Sequence, residues 1–326
     1  MSKIEVITLR NTNALELQIS NLGATIISLN IPDKSNQIVN VVVGLEAEDY
    51  NKEPYLSNYP YLGASIGRYA GRISKGAFEV NGKNHPIYND NGVHLHGGKE
   101  GFDKKYWTIE SLTEGENPAV TYSYKSAHLE EGYPGNLKVS VTYQLTEKNE
   151  VKIKYKATTD AATPINLTNH AYFNLNGKDS ITGHKLQLNS EQYLEVDSQL
   201  IPSGKLIDSK NTRFDFNNES IIGRADFKGF DDVFVLGTGK VKVVLTSPKT
   251  GIQMKVYTNQ PACVIYTPIL LEDLPFKNGV KYSKFSAICF ETQNFPDAPN
   301  NPHFPSSILK PNETYINESV FEFSIV

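Results

Sequence analysis

The chain has 326 residues, 39% of them hydrophobic and 21% charged, the composition of an ordinary globular protein with enough apolar material for a sizeable core. A net charge of −4 and a pI near 6.0, with no cluster of Lys or Arg, weigh against a phosphate-backbone partner, so no nucleic-acid partner is expected. Two cysteines, Cys263 and Cys289, are too few for a disulfide framework and predict buried thiols in a reducing, cytoplasmic setting.

In chain order, the N-terminal MSKIEVITLRNTNALELQ alternates apolar and polar residues and holds no apolar run of signal-peptide length. Alternation with period two predicts strands at 15–20 and 24–31. The longest apolar stretch, 39–45, is too short to span a bilayer, so no membrane partner is expected. Asn81-Gly82 predicts a tight hairpin. Further strands are predicted at 119–126, 138–145, 151–158, 240–246, 252–258 and 321–326, with a turn at Thr250-Gly251. Helical periodicity is nearly absent, and no linker or repeat divides the chain. The prediction is an all-β fold, a large antiparallel β-sandwich, as one domain over 1–326. The sequons at Asn166, Asn218, Asn312 and Asn317 read as chance matches in a chain without a secretion signal.

Two segments carry chemistry. NLTNHAYFNL sets His170 among amides and aromatics, and CFETQNFPDAPNNP does the same for Glu291. Both follow an apolar, strand-like approach, and strand ends opening into polar loops are where sites are built. An imidazole and a carboxylate on opposite sides of a small polyol can protonate one oxygen while deprotonating another, which is what sugar ring opening needs. Asn166, Asn169, Asn174, Gln293 and Asn294 offer the donors and acceptors that suit hydroxyl groups. Tyr172, Phe173, Phe290 and Phe295 offer apolar faces for a pyranose.

Competing readings of these residue types remain open. Asn-rich segments with Pro also make turns. His94 and His96, two apart, would share a face of a strand and could share a metal, although no third ligand is evident nearby. Arg68 and Arg72 would pair with carboxylates on a Gly-rich turn, and the spacing of those glycines lacks the lysine and hydroxyl of a phosphate loop. Asp231 and Asp232, preceded by Gly229, would form a solvated turn pair. Asp231 with Glu291 could also serve as the two carboxylates of a glycoside hydrolase.

With LGASIGRYAGRI, HLHGGKEGFDKKYW, EGYPG and GFDDVF added in the same order, the chain resembles the aldose 1-epimerase (galactose mutarotase) family from about Asn21 to its C-terminus. The resemblance implies a single large β-sandwich that interconverts the α and β anomers of D-galactose or D-glucose without cofactor or metal, as monomer or homodimer. It implies His170 as general acid toward the ring oxygen and Glu291 as general base toward the C1 hydroxyl. Arg72 and His96 would sit beside the ring, Asp231 would bind sugar hydroxyls, and Gln260 would lie close to the base. Tyr172 and Phe295 would be supporting neighbours. Gly71 departs from the pattern, since many relatives carry Asn just before this arginine. A sugar sensor on the same scaffold, or an epimerase of a related or phosphorylated hexose, is the alternative implied.

Overall fold

A computed structural model describes residues 3–224, 227–271 and 274–326, and nearly all its regular structure is extended. The longer predicted strands form. Ala119–Ser126 and Ile252–Thr258 keep their expected limits, while Leu137–Leu145 begins one residue earlier and Glu150–Thr159 extends one residue at each end. The strand expected at 240–246 starts later, as Val243–Thr246, because residues 238–240 bend the chain first. The last strand starts earlier and runs Tyr315–Ile325.

The alternation that predicts these strands also decides what they bury. Along Leu137–Leu145 the odd positions Leu137, Val139, Val141, Tyr143 and Leu145 are buried while Lys138 is exposed. Tyr315–Ile325 pairs antiparallel with Glu150–Thr159 on one side and Ile252–Thr258 on the other, closing a nine-stranded sheet from both halves of the chain. A six-stranded antiparallel sheet runs in the order Tyr172–Phe173, Ile288–Gln293, Ala262–Tyr266, Asp231–Val235, Gln192–Val196, Pro202–Asp208. One apolar cluster joins Val139 and Ile153 of the first sheet to Phe234, Cys263, Ile265 and Phe290 of the second, so the two sheets share a core as a sandwich. Asn81 and Gly82 both take positive φ, at 54° and 73°, and join Ala77–Val80 to Lys83–Pro86 in the expected hairpin.

Side-chain parity in the six-stranded sheet positions the site. Ile288 and Phe290 point into the shared core, which turns Glu291 to the opposite face. In the neighbouring strand Cys263 and Ile265 face the core, so Val264 and Tyr266 lie on the face of Glu291. No described helix is long and apolar enough to cross a membrane.

Candidate active site

The pocket lies on that outer face and is lined by Arg72, His96, His170, Asp231 and Glu291, with Tyr59, Tyr61, Tyr172 and Tyr266 supplying aromatic walls. Its volume, about 360 Å³, falls within the size range of small-molecule sites. His170 follows the short strand Thr168–Asn169, and its backbone is held at both ends, donating to the Ala64 carbonyl and accepting from Gly63 N–H. The side chain is thereby fixed with Nε2 at 3.5 Å from Glu291 Oε1, both residues almost fully buried. The Tyr172 ring lies nearly parallel to the imidazole at 5.1 Å, and Tyr61 does so at 6.0 Å. The Tyr172 hydroxyl donates to the Pro60 carbonyl, which ties the Tyr61 loop to the strand behind His170.

Arg72 and His96 come from a second construction. Arg72–Ile73 pairs antiparallel with His94–Leu95, and just outside this ladder Gly71 has φ +79° and His96 φ +49°. The left-handed turn at His96 breaks strand alternation, so His94 and His96 do not share a face and the alternative of a metal pair at their spacing is not formed. His94 instead bonds the Tyr88 carbonyl and the Tyr133 hydroxyl, each at 2.6 Å, away from the pocket. Gly71 N–H donates to His96 Nδ1 at 3.2 Å. That bond uses the Nδ1 lone pair and places the imidazole proton on Nε2 as a donor. At Gly71 a Cβ would meet Pro296 at 3.1 Å and Gln293 Nε2 at 3.2 Å, so the space beside Arg72 is already closed by this loop.

Burial sets the electrostatics. It lifts the Glu291 carboxyl up to about 8, with Asp231 adding to the rise and Arg72 opposing it. It pushes the His170 imidazole down to about 4. Burial also raises Asp231, opposed by Arg72, whose guanidinium lies 4.0 Å from it. His96 is held well below the usual range by burial and then by the His170 and Arg72 charges, consistent with the neutral tautomer set by Gly71. Between about pH 4 and 8 the His170–Glu291 pair therefore holds one proton, with the uncharged form favoured. Glu291 Oε2 and His170 Nδ1 are buried without a hydrogen-bond partner among the described residues, the condition of polar atoms that await a ligand.

Several expectations are corrected. Gln260 does not lie close to Glu291: it sits in the turn before Ala262–Tyr266 and bonds Asn259 and the Ile316 carbonyl. Strand register instead puts Val264 opposite Glu291. The five amides do not line the pocket, because their side chains bracket backbone. Asn166 bonds the Ala70 and Asn294 carbonyls, Asn169 the Gly63 carbonyl, Asn174 the Lys178 and Ser286 carbonyls, Gln293 the Asn294 carbonyl, and Asn294 the Pro305 carbonyl. Phe173 and Phe290 belong to the shared core, and Phe295 packs behind the pocket against Phe304. Asp231 and Asp232 are not a turn pair but open a strand, Asp231 facing Arg72 and Asp232 facing Arg213. Arg68 is buried and bonds the carbonyls of Ser126, Ala127, Pro134 and Gly135 and the Ser126 and Thr163 hydroxyls, rather than a carboxylate. Tyr61 and Tyr266, both pocket-lining, were missed because they come from segments without titratable motifs.

One trio has metal-like spacing: ligand atoms of His96, His170 and Glu291 all lie within 4.8 Å of one another. The tautomer opposes ligation. A metal-bound imidazole donates through its other nitrogen, whereas His96 Nδ1 accepts from Gly71 N–H. Excess EDTA is expected to leave the catalytic rate of this site unchanged, and loss of activity restored by zinc would overturn this tautomer assignment.

The aldose 1-epimerase family profile matches residues 5–322. The chain belongs to the aldose 1-epimerase family. It is 41% identical over 325 residues to human galactose mutarotase, covering 96% of this chain and 92% of that protein. To the aldose 1-epimerase of Haemophilus influenzae it is 39% identical over 335 residues, covering 98% and 95%. An aldose epimerase homologue from C. elegans superposes with a TM-score of 0.90 at 28% identity, covering 99% of this chain and all of that one. This epimerase therefore has the galactose mutarotase-like antiparallel β architecture and aldose 1-epimerase activity, an isomerase chemistry.

Proposed function

We propose that this epimerase interconverts the α and β anomers of D-galactose, and of D-glucose, with His170 and Glu291 as the acid–base pair. The observation that carries this reading is the buried His170–Glu291 contact of 3.5 Å at the pocket floor, with one proton to share. His170 as imidazolium donates to the ring oxygen while Glu291 takes the C1 hydroxyl proton, and the ring opens to the aldehyde. Rotation about C1–C2 presents the other carbonyl face, and reclosure with reversed proton roles gives the other anomer. After ring opening His170 is neutral and Glu291 protonated, which is the charge state burial favours, so the environment supports the open-chain intermediate.

Around this pair, Asp231 and Arg72 offer an acceptor and donors to sugar hydroxyls, His96 Nε2–H offers a donor, and Tyr172 and Tyr61 offer stacking faces. Arg72 is the one cationic side chain among the described lining residues and already faces Asp231, which disfavours a phosphorylated hexose. Presence of both acid and base favours an enzyme over a sensor. The continuous core from Leu9 to Phe323 supports one domain over 1–326, and two free, buried cysteines are compatible with a cytoplasmic setting.

The sugar assignment rests on the relatives' names and is tested by magnetisation transfer between the anomeric protons of galactose and of glucose at equilibrium. Enzyme-dependent exchange is expected in both, with the larger kcat/KM for galactose. Exchange in glucose alone, or in neither, would overturn the assignment.

A further inference from the structure

Resting on the reading of Arg72 as a sugar ligand, we propose that Asp297 is a positioning residue that locks the Arg72/His96 hairpin to the strand carrying Glu291. Asp297 lies six residues after Glu291, beyond the end of the strand Ile288–Gln293, and is 3% exposed. Its carboxylate does not face the pocket. It accepts four hydrogen bonds: from Ser74 N–H at 2.9 Å, the Ser74 hydroxyl at 2.8 Å, and the side-chain amides of Asn300 at 2.9 Å and Asn301 at 3.1 Å. Its own N–H donates to the Arg72 carbonyl at 2.7 Å. The Arg72–Ser74 segment is thus gripped at two of its three residues by one side chain and one amide.

The other edge of the segment is equally fixed. His96 N–H donates to the Gly71 carbonyl at 3.1 Å and Gly71 N–H to His96 Nδ1, so any displacement of the segment carries His96 with it. Asp297 takes φ 55°, a left-handed conformation that Asp tolerates better than most residues and that lets amide and carboxylate reach the same three-residue segment. Pro296, its chain neighbour, lines the pocket and closes against Gly71. Two halves of the site distant in sequence, Arg72 and His96 on one side and Glu291 on the other, are held in register through this residue. Misplacement of a sugar-binding group by about an ångström can cost about 10²-fold in rate.

The test is a double-mutant cycle with Arg72→Lys and Asp297→Asn, measuring kcat, KM and melting temperature of all four proteins. Asp297→Asn keeps the shape but sets an amide against the donors. It is expected to lower kcat/KM about tenfold, mostly through KM, because a displaced Arg72 loses ground-state and transition-state contacts alike. In the Arg72→Lys background the same substitution should cost clearly less than in the parent, the remainder being the part carried by the displacement of His96. Ser74→Ala, which removes a single donor, serves where Asp297→Asn does not fold. A KM rise of about threefold is then expected, in keeping with one hydrogen bond, and it too should shrink in the Arg72→Lys background. Losses that multiply in the double variant, or a folded Asp297→Asn protein with the parent kcat/KM, would overturn the proposal alone. Arg72→Lys with unchanged kcat/KM would overturn the sugar-binding role of Arg72 and the proposal with it.

Discussion

The Glu291→Gln protein is expected to bind sugar nearly as tightly as the parent while turning it over about 10²–10⁴ times more slowly, the usual cost of removing one general base. Glutamine preserves the shape of a buried side chain on a strand whose every position is buried, so the fold should tolerate it. It cannot take the C1 hydroxyl proton. The effect should therefore appear in kcat, with KM close to the parent value. Sugar affinity is measured separately by titration calorimetry. A loss of only a few-fold in kcat would remove Glu291 from the role of base.

His170→Gln is expected to produce a loss of the same order, because the amide nitrogen reaches the place of Nε2 but is far too weak an acid to protonate the ring oxygen. Combining the two variants should cost little more than the worse single one, since acid and base act as a unit. The pH profile distinguishes the two groups. In the free enzyme the pair holds one proton between about pH 4 and 8. Below that window both groups are protonated and no base remains; above it both are deprotonated and no acid remains. After subtraction of the buffer-catalysed rate, kcat/KM should fall about tenfold per pH unit beyond either limb. The acidic limb, which reports loss of the base, should disappear from the residual rate of Glu291→Gln, and the alkaline limb, which reports loss of the acid, from that of His170→Gln. Limbs unmoved by both substitutions would assign the titrations to other groups.

What could be read from the sequence was governed by locality. Leu137–Leu145 and Glu150–Thr159 were legible because alternation within one strand is a local pattern. His170 and Glu291 stood out because a titratable residue follows an apolar run in each case, and the family resemblance added Arg72, His96 and Asp231, all of which line one pocket. Gln260 failed because the neighbour of Glu291 is set by strand register, a long-range property that selects Val264 four residues further on. The rival reading of His94 and His96 as a shared-face pair could not be dismissed from the sequence, because a positive φ at His96 overrides alternation and one sequence does not announce it. The amides around His170 and Glu291 looked like sugar ligands but satisfy loop backbone, which a buried, irregular connection requires. Asp297 was invisible as a functional residue for a related reason. Its partners are the main chain and hydroxyl of Ser74, 223 positions away.

The central claim is that a buried histidine and glutamate open and reclose a sugar ring. It is tested most directly by polarimetry of freshly dissolved α-D-galactose with the parent protein, with Glu291→Gln and without enzyme. The account predicts a faster approach to an unchanged final rotation with the parent protein, and a rate close to the spontaneous one with the variant. Equal acceleration by both proteins, or a different final rotation, would contradict it.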